Sequence, residues 1–222
     1  KTIVKRGVTE LITPGVSYND KILETRQNNF LASIYLDDKQ SGIAFLDIST
    51  GEFYTAQGNI DYIGKLIQSF KPNEVVVEKN KLQDIKHYFG DELLYTTFED
   101  WIFTIDFSQD ILLKHFQIQS FKGFGVENIP QGLIAAGAAL HYLFETHHTN
   151  VSHIAKLTRI EEDHYVWLDQ FTIRNLELID SIHNQATTLL NVLDFTLSPM
   201  GARMLRKWML LPLKDKSLIE EQ

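Results

Sequence analysis

The chain contains no cysteine in its 222 residues, which excludes disulfides and thiolate metal centres. No apolar run approaches the roughly 18 residues that a membrane-spanning helix needs. The opening KTIVKRGVTE lacks the charged-then-apolar layout of a secretory leader, and an initiator methionine. A basic excess is missing too: 21 Lys and Arg stand against 29 Asp and Glu, a formal charge of −8, which argues against a dedicated nucleic-acid grip. The end at Ser217–Gln222 falls inside a helix-like pattern, so the reading is a piece of a longer protein.

What is present suits a folded molecule. Apolar residues make up 44% and aromatics 11%, enough to build one large core or two modest ones. The acidity is uneven: residues 1–148 hold 13 basic and 19 acidic residues, and 149–222 hold eight and ten. Within the second part, Pro199 to Lys216 carries five basic residues and one acidic, a stripe that could approach phosphates but reads first as a solvated helix face.

In chain order, residues 1–16 read as a linker closed by the Thr13-Pro14-Gly15 turn. Asn28–Asp37, Gly42–Ser49 and Gly51–Gln57 are three strand-like runs joined by short turns, a meander of antiparallel hairpins. A helix over Ile60–Phe70 follows, stopped by Pro72. Glu74–Glu78 is a β-branched run suited to a parallel strand buried on both faces. Then come a helix at Leu82–Phe89, a strand at Leu93–Thr97, a helix over Asp106–Ile118 and the glycine-punctuated loop Phe121–Asn128. Pro130 opens a helix to about His147, whose Gly137 and alanines permit close backbone approach. Three antiparallel strands followed by β-α-β units is the order of a ribonuclease-H-like sheet. His147–Ser152 suits a domain boundary. Lys156–Arg159 and Tyr165–Leu168 read as extended, and Asp169 caps a helix to about Ser181.

Thr188–Leu213 is the most informative stretch. Thr188 caps a short helix, Leu189–Leu193, and Asp194–Leu197 breaks it. Ser198 then serves as N-cap and Pro199 as first helical residue, where a missing N–H is harmless. Met200, Met204, Leu205, Trp208 and Met209 share one face. Arg203, Arg206 and Lys207 lie off it, which predicts a packed apolar side and a solvated basic one. Pro212 ends the helix.

Thr196-Leu197-Ser198-Pro199-Met200-Gly201, the Met204-Leu205-Arg206-Lys207-Trp208 run and Pro212 together resemble the start of the core (lever) domain of the bacterial MutS mismatch-repair family. Ser198 stands where Thr is commoner, keeping the cap chemistry. Asp169–Glu177 resembles the family's Thr-x-Arg-Asn-Leu-Glu segment. Val8–Gly15 is similar to its linker into the connector domain, and Phe124–Asn128 with Gly132–Gly137 is similar to the connector itself. The resemblance spans essentially the whole chain. It implies a linker at 1–16, an α/β ribonuclease-H-like connector domain at 17–148, and an all-α N-terminal part of the core domain at 149–222. It implies a cytoplasmic full-length protein that binds mismatched duplex DNA, uses ATP and Mg²⁺, recruits MutL and pairs with a second MutS subunit. This stretch would carry no cofactor and no enzymatic activity of its own. Its implied role is to relay changes between the ATPase and DNA-reading ends and to offer MutL a surface, with Asp194, Ser198, Pro199 and Gly201 as a hinge. Arg203, Arg206 and Lys207 would come near a DNA backbone at most.

Other chemistries have partial signatures in the sequence. Gly58 and Gly64-Lys65 approximate a phosphate loop, but the glycine spacing is one too long and Leu66 replaces the Mg²⁺-binding Ser or Thr. Gly51-Glu52-Phe53-Tyr54 is near the family's Phe-x-Glu wedge, yet Thr55 stands where the glutamate belongs, so Phe53 and Tyr54 read as strand residues on opposite faces. A two-metal nuclease on such a sheet needs converging carboxylates. Asp47, Asp61 and Glu78 are the candidates, while the first-strand centre Leu31-Ala32-Ser33-Ile34 has no acid. His141, His147, His148 and His153 cluster in sequence but read as helix-end and loop residues, short of a zinc ligand set. A spacer without partners is the remaining reading.

Overall fold

The computed structural model describes residues 13–16, 26–146, 151–183 and 186–221. Residues 1–12 of the expected linker, and His147 and His148, lie outside the described residues. Side-chain alternation and short turns place β1 (Leu31–Tyr35), β2 (Ser41–Asp47) and β3 (Glu52–Gly58) in an antiparallel meander, because such turns cannot make a crossover. After α1 (Ile60–Phe70) the chain returns as β4 (Glu74–Glu78), parallel to β1, and after α2 (Leu82–Phe89) as β5 (Tyr95–Phe98), parallel to β4. Sheet order is β5-β4-β1-β2-β3-β6, the last being the short strand Thr158–Arg159.

The sheet is buried on both faces. Leu31, Leu46, Phe53 and Val76 meet α3 (Ile105–Phe116) and α4 (Pro130–Thr146) on one side. Ala32, Ile34, Phe45, Tyr54, Val75 and Val77 meet α1 and α2 on the other. Phe53 and Tyr54 therefore take opposite faces, as their strand position predicts, and β4 is buried on both sides as its β-branched run requires. The close approach expected of α4 is present. A Cβ on Gly137 would lie 2.4 Å from Ser108 Cβ on α3, and one on Gly42 of β2 would lie 1.9 Å from the Gln131 carbonyl oxygen.

Glu74 is a buried carboxylate that ties three elements together. It accepts from the Thr96 hydroxyl at 2.7 Å, the Tyr142 hydroxyl at 2.6 Å and the Gly15 N–H at 3.1 Å. The last bond fastens the Pro14–Val16 turn to the sheet. Burial, with Glu74 as hydrogen-bond partner, pushes the Tyr142 hydroxyl up to about 12.

Three expectations are corrected. The segment from 149 onward is not all helical: β6 (Thr158–Arg159) pairs parallel with β3, and Val151, Ile154 and Leu157 are buried in the α4-side core. A two-residue strand leaves too little periodicity to mark a pairing partner in sequence. α5 (Gln170–Asn175) ends well before Ser181, because Glu177 takes left-handed backbone (φ 48°) and Leu178 N–H donates back to the Ile173 carbonyl. The third concerns α7 (Pro199–Leu210), which with α6 (Leu189–Leu193) and α8 (Lys216–Glu221) completes the chain. Its basic side is turned toward the sheet unit, while Met200, Met204 and Trp208 are exposed. Periodicity distinguishes the two sides of a helix; it does not say which side a given neighbour takes.

Candidate functional site

The joint between the sheet and α7 gathers most of the residues singled out in sequence. Thr188 caps α6 in a reciprocal capping box with Asn191. Ser198 caps α7, its Oγ accepting from Gly201 N–H at 3.1 Å, and Pro199 occupies the first turn. Between the helices, Asp194 accepts from the Thr196 N–H at 3.1 Å and the Thr196 hydroxyl at 2.5 Å. Arg26 Nη2 lies 2.9 Å from both Asp194 carboxylate oxygens and 3.1 Å from the Thr196 carbonyl. The Thr196 hydroxyl and then Arg26 hold the Asp194 carboxyl below the usual carboxylate range. The inter-helix segment is thus fastened to the start of the sheet unit, although Phe195 and Leu197 on it stay exposed.

Lys207 makes the second fastening. Its Nζ donates to the Tyr54 hydroxyl at 2.7 Å and sits 4.3 Å from the centre of that ring, a cation–π contact strengthened by partial desolvation. Tyr54 donates to Glu52 at 3.0 Å. Asn28 Nδ2 bridges Glu52 at 2.5 Å and Asp47 at 2.8 Å. A continuous polar chain therefore runs from α7 to the buried end of β2. Burial lowers the Lys207 pKa, with Glu52 opposing it, and burial raises that of Tyr54, with Glu52 adding to it. Apolar contacts complete the joint: Leu210 and Leu211 pack with Ile173 and Ile179, and Phe70 of α1 reaches the same cluster. Lys71 at the end of α1 pairs with Asp180.

Arg203, Arg206 and Lys207 thus come together, but facing a pocket between α7 and α1 and not as a solvated stripe. Arg26, Asn28, Glu52 and Tyr54 were not singled out as site residues in sequence. Tyr54 meets Lys207 across 153 positions, and no local pattern carries that information.

The carboxylates considered for a nuclease do not assemble. Asp47 is fully buried and accepts from Asn28, the Asn29 N–H, and the Ser49 N–H and hydroxyl, so its oxygens serve the fold. Among the described residues no group of three or more His, Cys, Asp or Glu could hold a metal, and a metal-dependent nuclease is not supported. The near phosphate loop is helix: Gly64 and Lys65 sit mid-α1 and Leu66 is buried in the core. Those residues do not fit ATP. His141 lies among Phe98, Trp101 and Phe107, and His153 Nε2 is 2.7 Å from the Ile48 carbonyl.

Comparison with known proteins agrees with this architecture. The family model of MutS domain II matches residues 29–155, and that of MutS domain III matches residues 171–222. The DNA mismatch repair protein MutS of Flavobacterium johnsoniae is 57% identical over 99% of the chain and 25% of its own length. Those of Cytophaga hutchinsonii and Bacteroides fragilis are 54% and 51% identical over 100% of the chain and 26% of theirs. The chain spans about a quarter of the length of these relatives. With domain II over the sheet and domain III over the helices of the joint, the chain belongs to the MutS family of DNA mismatch-repair proteins.

Proposed function

We propose that this part of a MutS-type protein is a mechanical relay, joining a ribonuclease-H-like connector to the first helices of the lever domain. The observation that carries the reading is the double fastening of the joint. Arg26 grips the inter-helix segment at Asp194, and Lys207 grips Tyr54, so a tilt of α7 pulls directly on the sheet. Asp194, Ser198, Pro199 and Gly201 form the hinge about which α7 rotates as a rigid body. The observed strand order supports the ribonuclease-H-like class. The proposed division is a linker at 1–16, a connector from 17 and a lever segment from 149. The packing of residues 151–160 on the sheet favours carrying the connector on to Ile160.

In the whole protein, mismatched duplex DNA, ATP with Mg²⁺ and a second MutS subunit act outside this stretch, in the cytoplasm, and the connector offers a surface to MutL. The chain itself is no enzyme. Arg203, Arg206 and Lys207, facing the joint, do not grip DNA in this reading. The exposed Met200, Met204 and Trp208 side of α7 meets the remainder of the helical domain.

The test is binding of the 222-residue chain to the cognate MutL by interferometry at fixed salt, with a mismatched duplex in parallel, since phosphate contacts weaken steeply as salt rises. Saturable MutL binding with negligible DNA binding is expected; DNA binding without MutL binding would refute the docking role. In the full-length protein, Gly201→Pro removes the N–H that Ser198 caps. ATP-driven release of mismatched DNA should then be lost, and unchanged release would refute the hinge.

A further inference from the structure

The two edges of the sheet differ. β3 is covered by β6, whereas β5, at the other end of the strand order, has a neighbour on one side only among the described residues. Val75 N–H donates to the Leu94 carbonyl at 2.8 Å, and β4 pairs in parallel register with Tyr95–Phe98. Backbone groups alternate along a strand, so those of Leu94, Thr96 and Phe98 point to β4 and those of Tyr95 and Thr97 point outward. Neither outward N–H has a backbone partner among the described residues, and such a row is a template for a further strand.

Charge decides which strand. Residues 91–106 hold five Asp and Glu and no Lys or Arg. Lys86 and Lys79 pair with Asp91 and Glu99, which leaves exposed Glu92 before β5 and exposed Asp100 after it without an ion pair among the described residues. A second copy of β5, laid in either direction, would set acid against acid, and nucleic acid is repelled in the same way. Trp101, 53% exposed just beyond Asp100, stands edge-on to Phe107 and His141. Its braced ring suits a cationic side chain.

We propose that the free edge of β5 accepts an extended, Lys- or Arg-bearing segment of a partner protein as an added strand. Tyr95 and Thr97 supply the main-chain hydrogen bonds, Glu92 and Asp100 select the charge, and Trp101 takes one cationic side chain. The surface goes beyond the relay, whose joint lies toward the opposite edge, at Tyr54 of β3.

The probe is a synthetic peptide of alternating valine and lysine, about six residues long. It is titrated calorimetrically into the 222-residue chain and into the full-length protein at one fixed salt concentration, with amide hydrogen exchange as a second readout. Saturable binding to both is expected, with slowed exchange at the Tyr95 and Thr97 amides. Affinity should be about tenfold lower when Glu92→Gln and Asp100→Asn are combined. Thr97→Pro removes an outward N–H and spares the β4 ladder, so it should weaken binding in a chain that circular dichroism shows to be folded. No binding to the unaltered chain would overturn the site. So would undiminished binding of a valine–glutamate peptide, or of the lysine peptide N-methylated at every amide. Binding to the 222-residue chain but not to the full-length protein would assign the edge to another part of the same protein and overturn the partner.

Discussion

Ser33 sits at the centre of β1, fully buried, and its hydroxyl has no hydrogen-bond partner. A metal-dependent nuclease on such a sheet would need an acid here, and this chain keeps a small, poorly satisfied polar group instead. Ser33→Ala is therefore expected to be neutral or to stabilise by about 1 kcal/mol, read from urea unfolding; a clear loss would mean that the hydroxyl has a partner in solution. Tyr54 is the opposite case. Its hydroxyl accepts from Lys207 and donates to Glu52, so Tyr54→Phe strands a charged donor. We expect a loss of about 2 kcal/mol. In a double-mutant cycle with Lys207→Met the two effects should not add, because they remove the same contact.

Among the elements, the tightest packing is made by α4. Replacing a helical glycine by alanine ordinarily gains about 1 kcal/mol of helix propensity. At Gly137 the new methyl would sit 2.4 Å from Ser108 Cβ, inside any tolerable contact, so Gly137→Ala should destabilise by about 2 kcal/mol. A rise in unfolding midpoint would refute the packing. This close approach was legible because glycine and alanine recur along an otherwise apolar helix. The β-branched run of β4 likewise specified a strand covered on both faces, and Ser198-Pro199 specified the start of α7. What stayed hidden depends on distant partners. The basic side of α7 has the pattern of a solvated face, and Tyr54, far away in sequence, draws Lys207 inward. α5 stops at a backbone turn carried by Glu177, a residue whose type gives no warning of positive φ. The pairing of β6 rests on two residues, too few for alternation to register.

For the molecule as a whole, acid sensitivity follows from two half-buried histidines. Burial lowers the pKa of His115 and of His141, with the Ile154 carbonyl and Glu145 respectively opposing the shift. The unfolded chain, with histidines near about 6.5, then takes up protons before the folded one does. Their contribution to stability is complete above about pH 6.5 and declines as pH falls from there toward the lower folded values. The urea midpoint should drop between about pH 7.5 and pH 5.5, and the drop should shrink in His141→Phe. An equal drop in that variant would assign the acid sensitivity elsewhere.

The pairing of β6 with β3 also has a consequence for handling the protein. Without Thr158, Arg159 and the Ile160 N–H, which donates to the Thr55 carbonyl at 2.8 Å, β3 would be a bare sheet edge. Uncapped edges recruit strands from other molecules and lead to aggregation. A truncation placed at the polar stretch around residue 150 would create such an edge in the middle of Glu52–Gly58, and its product should form concentration-dependent oligomers. A cut after Ile160 should leave a monomer, a difference that light scattering at a few concentrations would resolve.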